Sequence, residues 1–175
     1  MKKRISDAGV IFIIENNGYG LSTPSNEQFR MKQFVDKGIG YGMEAVQIDG
    51  NNILEARKTF TELAESIRSN PRPVLVECLT FRMRGHEEAS GTKYVPPHLF
   101  EEWGKKDPVN NFEKFLINEG VITEEVIEKT RAEIKKEIED GLEIAFAETL
   151  PPPDTEKELS EMFKPFSVAD TSDNS

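Results

Sequence analysis

The chain has 175 residues, which is enough for one domain with a sizeable hydrophobic core but marginal for two domains. Its 32 acidic and 22 basic residues give a formal net charge of −10, which argues against a nucleic-acid partner because phosphate contacts need a basic surface. The single cysteine, Cys78, excludes an internal disulfide framework and indicates a reducing compartment, so we expect a cytoplasmic protein.

The first apolar run, residues 10–14, contains three isoleucines and predicts a short strand buried on both faces, as in a parallel sheet. The basic residues 1–4 before it resemble the start of a secretory signal. However, the run ends in Glu-Asn-Asn without a small-residue cleavage pattern, and it is too short to span a bilayer. A buried strand is therefore favoured, and we expect no membrane partner.

The strand is followed by a turn containing Asn16, Asn17, Gly18 and Tyr19. In open α/β sheets ligands bind beyond the carboxyl ends of the strands, which makes this turn a candidate site. The side-chain oxygen of Asn17 and the backbone carbonyl of Tyr19 are hard donors of the kind that Mg²⁺ prefers. The alternative is a tight turn without a ligand, since Asn-Gly pairs tolerate positive φ. Spacing alone leaves both interpretations open.

The next segment is predicted to be a loop and then a short helix, capped by Ser25 or Asn26 and running to Lys37. Residues 38–42 are rich in glycine, but their spacing does not match a nucleotide-binding loop. We interpret them as a flexible turn into the next strand.

A strand, a helix and another strand follow, which predicts a βαβ unit and an α/β fold with a mostly parallel sheet flanked by helices. The strands are predicted at residues 45–50 and 73–81. The helix between them is capped by Asn51 or Asn52 and ends before Asn70. Its apolar residues recur at spacings of three and four. They are Ile53, Ala56, Phe60, Leu63, Ala64 and Ile67.

The loop at residues 82–94 should lie on the same sheet edge as the Asn17 turn, so that both face one cavity. Its His86 is suited to donate a hydrogen bond to a phosphate or to transfer protons, and arginines such as Arg82 match the oxygens of a diphosphate. The alternative is an exposed loop histidine with arginines in weak surface ion pairs. His98 has no comparable neighbours, and we interpret it as structural.

The C-terminal part is predicted to be helical. Residues 97–106 form a short helix with Trp103 as a packing anchor, and a second helix covers residues 108–117. A long helix capped by Thr123 ends before three prolines, and a short helix is predicted at residues 156–162, before a disordered tail or linker. The inner stripe of the long helix is predicted to comprise Ile127, Thr130, Ile134, Ile138, Leu142 and Ala145.

Three segments together resemble the α subunit of thiamine diphosphate-dependent 2-oxo acid dehydrogenases, with the branched-chain members most similar. They are ENNGYGLSTPSNEQFR at residues 15–30, GYGMEAVQIDGNN at residues 40–52 and TFRMRGH at residues 80–86. The resemblance extends over residues 10–162 with order and spacing preserved. It implies that residues 1–95 are the back half of the thiamine diphosphate-binding domain, that residues 96–163 are a helical extension packed on it, and that residues 164–175 are a tail or linker.

The resemblance also implies roles for individual residues. Asn17 and the carbonyl of Tyr19 would ligate Mg²⁺, which clamps the diphosphate of the cofactor. His86 would be the catalytic residue that contacts the diphosphate and orders the loop, and Arg82 would help to hold this cofactor-binding region against the partner. The implied activity is oxidative decarboxylation of a 2-oxo acid with acyl transfer to a lipoyl group. The implied partners are a β subunit or fused β region and a lipoyl acyltransferase.

Two departures from the family pattern matter. The family's Gly-Asp-Gly motif, which supplies a further Mg²⁺ ligand, lies further upstream than the sixteen residues before Asn17, so the isolated chain is predicted to be inactive. Glu87 stands where animal relatives carry a phosphorylatable serine, so that regulation is expected to be absent. The alternatives are a non-catalytic fragment or assembly module and, with the same mechanism, an acetoin dehydrogenase.

Overall fold

The computed structural model describes residues 9–163, which belong to two compact units, Met1–Thr123 and Glu124–Ser175. The basic segment at residues 1–4 and the predicted tail lie outside the described residues. Within residues 9–163, no helix combines the length and the apolar composition needed to cross a bilayer. The elements of the first unit are β1 (Val10–Asn16), β2 (Tyr19–Gly20), β3 (Thr23–Pro24), α1 (Ser25–Gln28), α2 (Asp36–Tyr41), β4 (Glu44–Asp49), α3 (Ile53–Ser69), β5 (Pro73–Leu79), α4 (Pro97–Gly104) and α5 (Pro108–Asn118).

The predicted α/β class and parallel sheet are confirmed. Three strands form a sheet in the order β1-β5-β4, and both pairings are parallel. Asn16 pairs with Leu79 and Leu79 with Asp49, so the three strands end together. A separate two-stranded antiparallel hairpin, β2-β3, follows β1 directly. The polar residues after β1 and β5 therefore emerge at one edge of the sheet.

The predicted burial of the first strand on both faces is wrong. Among the described residues β1 is an edge strand with β5 as its only neighbour, and Phe12 and Ile13 remain 51% and 54% exposed. The apolar run that is buried on both sides belongs instead to β5, the central strand, where Val74 and Val76 have no exposed surface. The central strand β5 has a neighbouring strand on each side, whereas β1 has a neighbour on one side only. The side chains of β1 therefore have fewer neighbours to shield them from solvent.

The core lies between the sheet and α3. Leu63 and Ile67 of this helix are buried together with Val74 and Val76 of β5. The helix begins after Asn52, whose side-chain oxygen accepts a hydrogen bond from the Glu55 N–H at 3.3 Å. The predicted cap and end of this helix are therefore confirmed. Its predicted apolar face is confirmed except at the first residue, Ile53, which is 47% exposed.

Asn52→Ala is expected to destabilise the protein by about 1 kcal/mol, because it removes the acceptor for one free N–H of the first turn of α3. Urea denaturation followed by circular dichroism measures this change in the free energy of unfolding. Lys58→Ala, at an exposed position inside the same helix, is the control and should change the unfolding free energy by less than about 0.5 kcal/mol. Equal effects of the two substitutions would contradict the capping role.

The single helix predicted between Ser25 and Lys37 is wrong. Two short helices, α1 and α2, occupy this region, and they are separated because Phe29 has an extended backbone (φ −134°, ψ 143°). Neither Ser25 nor Asn26 is the N-cap of α1, since Pro24 holds that position. The glycine-rich residues are not simply a flexible turn either. Gly38 lies inside α2, where an added Cβ would meet the Cβ of Ala45 at 2.6 Å.

The other predicted helices of the first unit, α4 and α5, are confirmed. Trp103 of α4 stacks on Phe81 with ring centroids 5.6 Å apart, as expected of a packing anchor. The predicted domain boundary after residue 95 stays a prediction.

The second unit contains a long helix, α6 (Glu124–Ala147), and a short helix, α7 (Thr155–Ser160). Both were predicted, but the predicted inner stripe of α6 is not buried. Ile134, Ile138 and Leu142 are exposed, and α6 contains no buried residue. Helical periodicity identifies an apolar stripe without identifying what covers it.

Candidate functional site

The turn after β1 is held by its own two asparagines. Asn16 Oδ1 accepts a hydrogen bond from the Gly18 N–H and Asn17 Oδ1 accepts one from the Tyr19 N–H, each at 3.0 Å. Gly18 has a φ of +79°, which explains the glycine at this position. The tight turn of the alternative interpretation is thus present. Asn17 Oδ1 can still bind a ligand in this turn, because an amide oxygen that accepts one hydrogen bond retains a second lone pair.

The carbonyl of Tyr19 has no hydrogen-bond donor within the backbone pairing of its hairpin. Its cross-strand partner is Pro24, which has no N–H to donate, and the next donor, Ser25 N–H, bonds to the Gly18 carbonyl at 2.8 Å. The two oxygens that the resemblance assigns to a metal therefore belong to residues two positions apart in the turn, and the hairpin pairing provides no N–H for the Tyr19 carbonyl.

These oxygens fit part of a magnesium site. Both are neutral and hard, as Mg²⁺ prefers, but an octahedral ion needs further ligands from water, phosphate or carboxylate. Within residues 9–163, no group of three or more His, Cys, Asp or Glu side chains is arranged to hold a metal ion. If Mg²⁺ binds here, Asn17 Oδ1 and the Tyr19 carbonyl would be two of the ligands that the ion needs.

Arg82 joins the loop after β5 to the hairpin after β1. Its Nη2 donates to the Leu21 carbonyl at 2.6 Å and to the Tyr94 hydroxyl at 2.9 Å, while its Nη1 lies 3.2 Å from His86 Nδ1. The Tyr94 ring also contacts the Tyr19 ring edge-on, with centroids 5.9 Å apart. The predicted approach of the two polar segments at one sheet edge is therefore confirmed.

The contact with Arg82 determines which nitrogen of His86 carries the proton. A guanidinium group only donates hydrogen bonds, so Nδ1 of His86 must accept. The proton of the neutral ring is then on Nε2. Because the side chain is exposed, this Nε2–H is available to donate to a ligand oxygen.

Three clefts in the described part of the chain border the turn. The first, of about 800 Å³, has Asn16 and Gly18 in its lining. The second, of about 520 Å³, is lined by Glu15, Asn17, Thr80 and Arg82 among others. The third, of about 330 Å³, has the turn on one side and the Trp103 side chain on the other. Asn17 and Arg82 thus share a cleft, whereas the lining of that cleft does not include His86.

The sequence does not identify two residues that contact this turn and loop, Tyr94 and Glu77. It marks Tyr94 only as the end of the predicted loop. Glu77 lies in the strand predicted at residues 73–81, and a carboxylate in the middle of such an apolar strand is itself a signal of a buried polar network. Cys78 is a free and buried cysteine. Burial raises the pKa of the Cys78 thiol, and the neighbouring charges of Glu15 and Glu77 raise it further, so the reactive thiolate is disfavoured.

Comparisons with known proteins identify the family to which the chain is similar. The family described as dehydrogenase E1 component matches residues 4–154. The 2-oxoisovalerate dehydrogenase subunit alpha 2 of Arabidopsis thaliana, a mitochondrial protein, is 33% identical over 144 residues, which cover 81% of this chain and 30% of that protein. The pyruvate dehydrogenase E1 component subunit alpha of Staphylococcus aureus is 35% identical over 140 residues, which cover 77% of this chain and 38% of that protein. The chain thus spans about a third of the length of these relatives.

Proposed function

The chain belongs to the dehydrogenase E1 component family, and we propose from this premise that it contributes the Mg²⁺- and diphosphate-binding edge of a thiamine diphosphate-dependent 2-oxo acid dehydrogenase α subunit. The observation that carries the proposal is the 2.6 Å hydrogen bond from Arg82 to the Leu21 carbonyl. This bond holds the His86 loop beside the Asn17 turn. A site for a metal-bound diphosphate needs both: oxygen ligands for the cation and N–H donors for the phosphate.

Each residue has a defined task in this proposal. Asn17 Oδ1 and the Tyr19 carbonyl bind Mg²⁺, and the ion neutralises the diphosphate. His86 donates from Nε2 to a phosphate oxygen. Three of the five N–H donors of Arg82 are engaged with Leu21, Tyr94 and His86, so its main task is to position the loop. Bound thiamine diphosphate supplies the chemistry that cleaves the bond between the 2-oxo carbon and the carboxylate.

The substrate is proposed to be a 2-oxo acid, since 2-oxoisovalerate and pyruvate appear in the names of the relatives. The acyl product would pass to a lipoyl group on an acyltransferase, and a β subunit or fused β region would complete the site. Acetoin remains the alternative substrate.

A non-catalytic assembly role is the second candidate. It is favoured by the lack, in the described part of the chain, of an acidic, histidine or cysteine cluster for a metal. Mg²⁺ bound by one amide and one carbonyl without a protein carboxylate should hold thiamine diphosphate weakly.

The two candidates differ in a chimera. Residues 9–163 replace the matching segment of the S. aureus pyruvate dehydrogenase α subunit, which is then assembled with its own β subunit. We expect the isolated chain to show no decarboxylation of pyruvate or 2-oxoisovalerate, and the chimera to turn over in a Mg²⁺- and thiamine diphosphate-dependent manner. A folded chimera that binds neither Mg²⁺ nor thiamine diphosphate would support the assembly role. Turnover by the isolated chain would contradict the proposal that this chain holds only part of the metal site.

A further inference from the structure

Glu77 is a fully buried carboxylate in the central strand β5, on the face of the sheet opposite α3. Its neighbours in the strand, Val76 and Cys78, face the hydrophobic core on the other side. A carboxylate is costly to bury unless hydrogen bonds replace the water that it loses. The partners of Glu77 therefore indicate why this residue is present.

Three donors from three different segments converge on the Glu77 carboxylate. Asn16 Nδ2 donates to Oε1 at 2.6 Å, and both the Val35 N–H and Gln47 Nε2 donate to Oε2, at 3.0 and 3.1 Å. These donors belong to the end of β1, the segment leading into α2, and β4. All three are neutral. The contacts therefore depend on a group that only accepts hydrogen bonds, which a carboxylate does.

The contact with Asn16 continues into the turn. While Asn16 Nδ2 donates to Glu77, its Oδ1 accepts from the Gly18 N–H. Reversing the Asn16 amide would place an oxygen against the carboxylate and an NH₂ against an N–H. One orientation of Asn16 satisfies both contacts, and it requires an acceptor at position 77.

We propose that Glu77 is a positioning residue that fixes the Asn16–Gly18 turn through its hydrogen bond with Asn16. It thereby sets the direction of Asn17 Oδ1 and the Tyr19 carbonyl. The part of this inference that concerns metal ligands rests on the proposed function, whereas the part that concerns the turn does not.

Glu77→Gln tests the role with almost no change in size. Glutamine offers one acceptor oxygen and an NH₂ group, and that NH₂ group faces a donor wherever it is placed. Asn16→Asp alone should also disturb the turn, because it places two carboxylates at the 2.6 Å contact. The double variant Asn16→Asp/Glu77→Gln reverses donor and acceptor, keeps the total charge of the pair, and retains an acceptor for Gly18. It should therefore restore the turn.

Amide hydrogen exchange of the full chain, measured by NMR at Gly18 and Tyr19, reports the turn directly. Each single variant is expected to accelerate exchange at these amides by about tenfold, and the double variant to return it to within about twofold of the wild-type rate. Val76→Ala, at an equally buried position on the opposite face of β5, is the control for general destabilisation. If Val76→Ala accelerates Gly18 and Tyr19 as strongly as Glu77→Gln, or if the double variant is not rescued, the positioning role is overturned.

A Mg²⁺ titration of the same amides separates this inference from the proposed function. If the folded chimera shows neither Mg²⁺-dependent turnover nor Mg²⁺ binding, but Glu77→Gln still accelerates exchange at Gly18 and Tyr19 of the full chain, the positioning role stands and the metal assignment fails. If Mg²⁺ shifts the wild-type amides and those of Glu77→Gln equally, at unchanged exchange rates, the metal assignment stands and the positioning role fails.

Discussion

Asn17→Ala is expected to lower the rate of 2-oxo acid decarboxylation by at least about a hundredfold in the chimera described above. The substitution removes a proposed Mg²⁺ ligand and, with the same atom, the acceptor of the 3.0 Å hydrogen bond from the Tyr19 N–H. The second proposed ligand, the Tyr19 carbonyl, belongs to the residue that this bond orients. Both protein oxygens are therefore affected by one change.

The dependence of the rate on Mg²⁺ concentration is the decisive measurement. Asn17→Asp keeps an oxygen for both the ion and the Tyr19 N–H, so it should retain Mg²⁺-dependent turnover where Asn17→Ala does not. Asn118→Ala, at an exposed position at the end of α5, is the control and should leave the rate unchanged. An Asn17→Ala enzyme with the wild-type Mg²⁺ dependence would show that the asparagine only stabilises the turn.

The core βαβ unit could be predicted because several local signals agree there. Helix α3 has a capping asparagine, an apolar stripe with helical spacing and a following proline, and β5 is an apolar run in which Glu77 is the only charged residue. Parallel topology then places the segments after β1 and β5 at one edge of the sheet. The presence of Asn17 and Arg82 in one cleft could therefore also be predicted from the sequence.

The detailed contacts of the site could not be predicted in the same way. The hydrogen bond from Arg82 to Leu21 depends on the position of a two-residue turn between β2 and β3, in which Leu21 has a φ of +60°. The three donors to Glu77 are separated from it by 61, 42 and 30 residues along the chain. Sequence periodicity reports which face of an element is apolar, whereas these contacts depend on how separate elements meet.

Exposure was the least predictable property for the same reason. Phe12 and Ile13 of β1 and the stripe of α6 have the composition of buried surfaces, yet both remain largely exposed. Burial depends on neighbouring elements, and a local pattern does not specify them.

Gly85→Ala is expected to displace the His86 loop, because an added Cβ would lie 2.5 Å from the Gly91 carbonyl oxygen and 2.9 Å from the Glu87 carbonyl oxygen. Backbone atoms surround the position, and the Ser90 hydroxyl, which donates to the Glu87 carbonyl at 2.9 Å, closes the loop around it. The loop must therefore open to admit a methyl group. We expect a loss of about 1–3 kcal/mol in the free energy of unfolding.

The same substitution should lower the rate of the chimera by about a hundredfold, since a shift of roughly 1 Å in a residue that positions a ligand has this effect. Urea denaturation and steady-state kinetics measure the two consequences separately. Gly104→Ala is the matched control, because an added Cβ there meets no atom within 4 Å. A Gly85→Ala enzyme that is destabilised but retains the wild-type rate would show that the His86 loop contributes to folding and not to cofactor binding. If the Gly85→Ala enzyme keeps both the wild-type stability and the wild-type rate, then Gly85 is not as closely surrounded as these distances indicate.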